Sequence, residues 1–211
     1  QPDLGTSILI ASGGIVVAWL AGVRPKFFIY SGVAMIALLP IAISFLKPYQ
    51  KSRILTFLNP ERDPLGAGYQ IIQSKIAIGS GGLFGKGFLN GSQSYLDYLP
   101  EKHTDFIFTL FSEEFGFFGS LFILLLYALI IIRIVRIGNM TRSNFGKLYC
   151  YSFGTAFFIY VVVNMMMVLG LLPIVGSPLP IMSYGGSSML AIMFGLGIVM
   201  SCKIYKDVPV N

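Results

Sequence analysis

Phe115-Gly116-Phe117-Phe118-Gly119-Ser120-Leu121-Phe122-Ile123-Leu124-Leu125-Leu126-Tyr127-Ala128-Leu129-Ile130-Ile131-Ile132 contains no Asp, Glu, Lys or Arg, and Arg133 closes it. A helix crosses a bilayer core with about 17 to 25 apolar residues, so this run predicts a membrane span. Charge is likewise absent from 4 to 23, from 27 to 46 and from 148 to 202. The last stretch fits two spans, divided at Pro173, Pro178 and Pro180. Five helices are therefore expected, at about 7–23, 27–46, 115–132, 148–172 and 182–202, in an all-α integral membrane protein whose residues 1–211 form a single polytopic domain. The chain is 55% hydrophobic and 11% charged, with a mean hydropathy of +0.77. Soluble domains carry about a quarter charged residues, so a soluble globule and a disordered chain are both excluded.

The charge distribution orients these spans. Five alternating crossings put Arg24, Lys26, Arg133, Arg136, Arg142, Lys147, Lys203 and Lys206 on one side, with Asp207 as the acid among them. Short loops rich in Lys and Arg stay cytoplasmic, which predicts a cytoplasmic C-terminus. The net charge of +6 is thus a topology signal, and nucleic acid is not an expected partner. The opposite, extracytoplasmic side receives a long loop, 47–114, with seven of the nine acids. Cys150 and Cys202 fall at cytoplasmic span ends and read as packing residues, as do the Met residues. Gln1 opens the chain and Asp3 precedes the first apolar run, where a leader would be basic. The chain is accordingly expected to be part of a longer membrane protein.

A connection this long is more often functional than idle. Its glycine-rich stretch, Gly79-Ser80-Gly81-Gly82-Leu83-Phe84-Gly85-Lys86-Gly87, fails as a nucleotide-binding P-loop. Such a loop ending in Gly85-Lys86 needs Gly where Ser80 stands and Ser or Thr where Gly87 stands. Tight turns presenting N–H groups, with Lys75 or Lys86, to an anionic headgroup remain open. Further on, Pro100 suits a first helical turn, which places Glu101 and Asp105 on one face of a helix entering Phe106-Ile107-Phe108. A carboxylate there is partly desolvated, which raises its pKa toward that of a general base. First-turn acids that complement the helix dipole fit the same spacing.

His103 stands alone as the histidine; a triad with Ser112 and Asp105 needs incompatible faces, and zinc needs more His or Cys ligands. Glu113 and Glu114 either mark the start of a span or act near the bilayer. The fifth span opens with Ser183-Tyr184-Gly185-Gly186. Its N-terminus would either receive a phosphate or pack closely through small residues.

Several blocks, taken together and in order, resemble a known family. They are Gln1 to Ser7, Asn59 to Tyr69, Gln73 to Gly82, Leu99 to Phe108 and Pro178 to Ser187. They are similar to the signature blocks of the SEDS peptidoglycan polymerases, and within that family to the elongation branch, RodA, rather than the division branch, FtsW. The likeness covers essentially the whole chain and implies the C-terminal half of a ten-helix fold.

The resemblance implies a glycosyltransferase that polymerises lipid II on the outer face of the bacterial cytoplasmic membrane during elongation and rod-shape maintenance. A sugar hydroxyl of one lipid-linked disaccharide attacks the anomeric carbon of another with inversion, and undecaprenyl diphosphate leaves. The family's essential aspartate falls on Asp105, as general base. Lys75 and Arg62 are expected to balance diphosphate charge, and Asp3 lies in a matching block. The implied cofactor is a divalent cation, magnesium. The implied partners are the nascent glycan strand, a class B penicillin-binding transpeptidase and other membrane proteins of the elongation complex. Two other classes compete: a lipid II flippase, which would carry ionisable residues within its spans, and a non-catalytic scaffold, for which Asp105 would be dispensable.

Overall fold

In a computed structural model the protein is described over residues 4–45, 47–63, 66–91 and 103–207. Every regular element among them is helical: α1 Leu4–Leu20, α2 Pro25–Ser44, α3 Pro48–Leu58, a 3₁₀ turn Pro60–Arg62, α4 Ala67–Ser80, α5 Ile107–Met140, α6 Asn144–Val168 and α7 Gly186–Ile204. Helices α5, α6 and α7 are long and apolar enough to cross a membrane, and they overlie the last three predicted spans. Helices α1 and α2 overlie the first two. Within the described residues of these two helices, apolar stretches run over Ile10–Leu20 and Pro25–Leu38.

The segment expected as a loop over 47–114 contains much helix. Pro48 starts α3, where its missing N–H costs nothing, and Gln50 Oε1 accepts from Lys47 N at 3.0 Å. In α4 the buried residues are Gly68, Ile71, Ser74 and Ala77. Their spacing makes one helical face, and that face packs on α5 and the end of α6.

Helix α5 extends past both ends of its predicted span and is broken at Gly116 (φ 66°, ψ −160°), a conformation essentially closed to other residues. The break frees backbone groups, and the glycine-rich turn takes them up. Lys86 N donates to Glu113 O and Gly87 N to Glu114 O, each at 3.0 Å, while Phe117 N donates to Gly82 O at 2.9 Å and Phe118 N to Leu83 O at 3.2 Å. The turn fits because two of its close-approach positions are glycine: a Cβ on Gly85 would lie 2.1 Å from Glu114 O, and one on Gly81 2.2 Å from Ser112 O.

Two apolar clusters hold the helices together. One joins Phe106, Phe108 and Tyr127 to Phe157, Val161, Met167, Val168 and Leu179; the other joins Ile134 and Ile137 to Cys150 and Val199. Cys150 is fully buried and both cysteines are free thiols, as expected of packing residues. At the far end of the bundle from residue 105, Arg142 N donates to Lys206 O at 2.9 Å. That end carries Lys203 in the last turn of α7, Lys147 near the start of α6 and Arg136 near the end of α5.

Candidate functional site

Residues 103–106 form a turn ahead of α5, so Asp105 precedes the helix instead of lying in its first turn. Phe106, 1% exposed, anchors this turn in the core. That burial fixes the chain immediately before the helical ladder of α5 begins. Pro100 and Glu101, like Asp3, lie outside the described residues.

Three polar braces hold the turn. Ser183 Oγ donates to Thr104 O at 2.5 Å and accepts from Leu179 N at 2.7 Å. Tyr184 N donates to His103 O at 2.9 Å. Asn164 Nδ2, from α6, donates to Asp105 O at 2.9 Å and to Ser177 O at 2.7 Å. The Asp105 carboxylate then faces Gly176, on whose Cα a methyl group would lie 3.4 Å from Oδ2. Asp105 is half-buried, reachable by a ligand while partly shielded from water.

Lys75 is placed by its neighbour. Ser74, fully buried in α4, hydrogen-bonds Thr109 Oγ1 at 2.8 Å and donates to Val168 O at 2.7 Å. This ties α4 to α5 and to the end of α6. Lys75 follows on the exposed side and lies along Gly170, where a Cβ would meet its Cε at 2.3 Å. Arg53 of α3 reaches the same connection, its Nη1 donating to Ile174 O at 3.4 Å. Gly170, Ile174 and Gly176 thus bring Lys75, Arg53 and Asp105 onto one short segment. Arg62 stands exposed on the 3₁₀ turn beside the start of α4. Among the described residues none of Lys75, Arg53 and Arg62 forms a salt bridge, so their charge is open to an anionic ligand.

The other expected residues divide. Lys86 Nζ is 2.6 Å from Glu113 Oε1, and the Glu113 side chain is fully buried; the lysine serves this ion pair, and the nearby N–H groups serve the helix break. Ser183 is 4% exposed and both contacts of its hydroxyl are internal, so it positions the Asp105 turn. Gly185 and Gly186 line an open groove of about 570 Å³ with His103, Tyr184, Ile107 and Met189. Gly185 caps α7 with extended backbone. Among the described residues no group of three or more His, Cys, Asp or Glu could hold a metal; a preformed protein cage for a divalent ion is not built from them.

Three residues of this site escaped the sequence reading: Arg53, Asn164 and Gly176. Arg53 looked like one of several basic loop residues. Asn164 carried a signal, as the one amide inside an apolar span, where a polar group needs a partner. Gly176 had no local mark.

The family model described as "Cell cycle protein", for FtsW, RodA and SpoVE, matches residues 1–207. The chain is 50% identical over 207 residues to the peptidoglycan glycosyltransferase MrdB of Escherichia coli K12, covering 98% of this chain and 56% of that protein. A solved peptidoglycan synthase complex that coordinates polymerization and crosslinking contains a similar chain, with TM-score 0.81 and 33% identity over 98% of this chain and 57% of that one. A mutant of the Thermus thermophilus rod shape determining protein RodA matches with TM-score 0.62 and 25% identity, over 99% of this chain and 52% of that one. The chain spans about half the length of the relatives it matches. With its helical bundle, its ordered signature blocks and a family model matched over residues 1–207, this multi-pass membrane chain belongs to the FtsW, RodA and SpoVE family, the SEDS proteins.

Proposed function

We propose that the whole protein polymerises lipid II into glycan strands, with Asp105 as the general base. The observation that carries this reading is the convergence of the Asp105 carboxylate, Lys75 and Arg53 on the segment from Gly170 to Gly176, in a chain half identical to a peptidoglycan glycosyltransferase. The carboxylate accepts the proton of the acceptor's 4-hydroxyl as its oxygen attacks the anomeric carbon of the donor from the face opposite the diphosphate. One C–O bond forms, the bond to the diphosphate breaks, and its electron pair leaves with undecaprenyl diphosphate. Lys75, and Arg62 beside the start of α4, neutralise the charge that develops on that leaving group. A divalent cation, magnesium by family likeness, would be carried by the diphosphate oxygens and would add to this neutralisation.

The site faces the outside of the bacterial cytoplasmic membrane, and the basic end of the bundle, with the C-terminus, faces the cytoplasm. The role is in elongation and rod-shape maintenance, a reading supported by similarity to a rod shape determining protein. Its partner is a class B penicillin-binding transpeptidase, by analogy with the synthase complex, within the membrane complex for elongation. The test is to supply lipid II to the purified full-length protein in vesicles without a transpeptidase. Uncrosslinked glycan strands are expected; lipid II that crosses the vesicle membrane without forming polymer would replace this reading with a flippase.

A further inference from the structure

We infer that Asn164 is a positioning residue, whose side-chain amide pins the backbone of Asp105 to that of Ser177 and so fixes the carboxylate against Gly176. The inference rests on the proposed role of Asp105 as general base. Asn164 is fully buried in α6, and it spends both N–H groups on two carbonyls: Asp105 O at 2.9 Å and Ser177 O at 2.7 Å. The two carbonyls belong to separate connections, one entering α5 and one leaving α6. The neighbouring braces, Ser183 to Thr104 O and Tyr184 to His103 O, hold the turn upstream. Asn164 holds the residue that carries the carboxylate.

The amide is an expensive choice for this place. Among the described residues, Asn164 Oδ1 and Ser177 Oγ are buried without a hydrogen-bond partner, and an unpaired polar atom in an apolar interior is destabilising. Leucine has a similar shape and would remove the orphaned oxygen, but it would also leave the carbonyls of Asp105 and Ser177 without their shared donor. The account is geometric: a single planar group with two donors sets the distance between two segments, and both segments touch the reacting carboxylate.

The experiment compares Asn164→Leu with wild type in the complete protein, measuring lipid II polymerisation and thermal unfolding in the same detergent. Misplacing a reacting group by about 1 Å costs about 100-fold in rate. The expected result is therefore a fall of about that size in kcat per folded enzyme, with KM little changed and the unfolding temperature lowered, because the carbonyls of Asp105 and Ser177 lose their donor. An unchanged kcat, or a fall matched by lost folded protein, overturns the inference. If Asn164→Leu does not accumulate, Asn164→Ala and Asn164→Ser carry the test. The serine, with one donor, should turn over faster than the alanine, and equal rates would overturn the inference. Asp105→Asn is run alongside: retained turnover there removes the general-base reading itself, whereas an inactive Asp105→Asn beside a fully active Asn164→Leu removes only the positioning role.

Discussion

Gly176 abuts the carboxylate of Asp105, leaving 3.4 Å between Oδ2 and a methyl group built on the glycine. Gly176 also holds φ at 68°, in the left-handed region that costs an L-residue about 1 to 2 kcal/mol. Gly176→Ala should lower stability by about that amount and depress kcat more than it raises KM, because the strain falls next to the carboxylate proposed as general base. Steady-state kinetics with lipid II, paired with an unfolding scan, separates the two effects.

Ser74 joins three helices through one hydroxyl, bonding Thr109 Oγ1 and Val168 O. Ser74→Ala leaves buried groups without this partner, at about 1 to 3 kcal/mol. It also loosens the register that sets Lys75 along Gly170. The expected outcome is a lower unfolding temperature together with a higher KM for lipid II. A stability loss with KM unchanged would show that Lys75 is placed by other contacts.

The ion pair of Lys86 and Glu113 sits where the glycine-rich turn meets the break in α5. Removing the cation strips a fully buried carboxylate of a 2.6 Å partner, and breaking buried pairs costs about 3 to 5 kcal/mol. Lys86→Met should destabilise strongly, whereas Lys86→Met combined with Glu113→Gln should recover part of that loss. A double-mutant cycle measures the coupling; additive losses would mean that the pair contributes nothing.

Gly116→Ala should be worse than either change at the ion pair. Its backbone is essentially accessible to glycine alone, and a Cβ would meet Gly85 N at 2.3 Å and Leu83 C at 2.8 Å. Both neighbours are backbone and cannot rotate away. Little folded protein should be recovered by size exclusion in detergent, while Gly13→Ala, with nothing within 4 Å of its Cβ, should behave as wild type.

Charge-free runs revealed α5, α6 and α7 because a membrane span is written as a local composition. The same rule hid α4. Its buried stripe of Gly68, Ile71, Ser74 and Ala77 holds one large apolar residue among two small ones and a hydroxyl, so no strong apolar period betrays it. The turn at 103–106 was also illegible, because Phe106 is fixed by the tertiary core and not by its neighbours in sequence. Asp105 could be selected locally as a carboxylate ahead of an apolar run. Its setting, made by Asn164, Ser183 and Gly176, comes from contacts 59 residues or more along the chain, which no local window joins. The glycine-rich stretch departs from P-loop spacing, but its use as a splice for a broken helix depended on seeing Gly116.

Asp105→Asn tests the central claim most directly, since it keeps the shape of the side chain and removes its basicity. In the complete protein, purified and supplied with lipid II, the account predicts folded enzyme that forms no detectable glycan polymer. Polymer formed at the wild-type rate by the folded variant would contradict it.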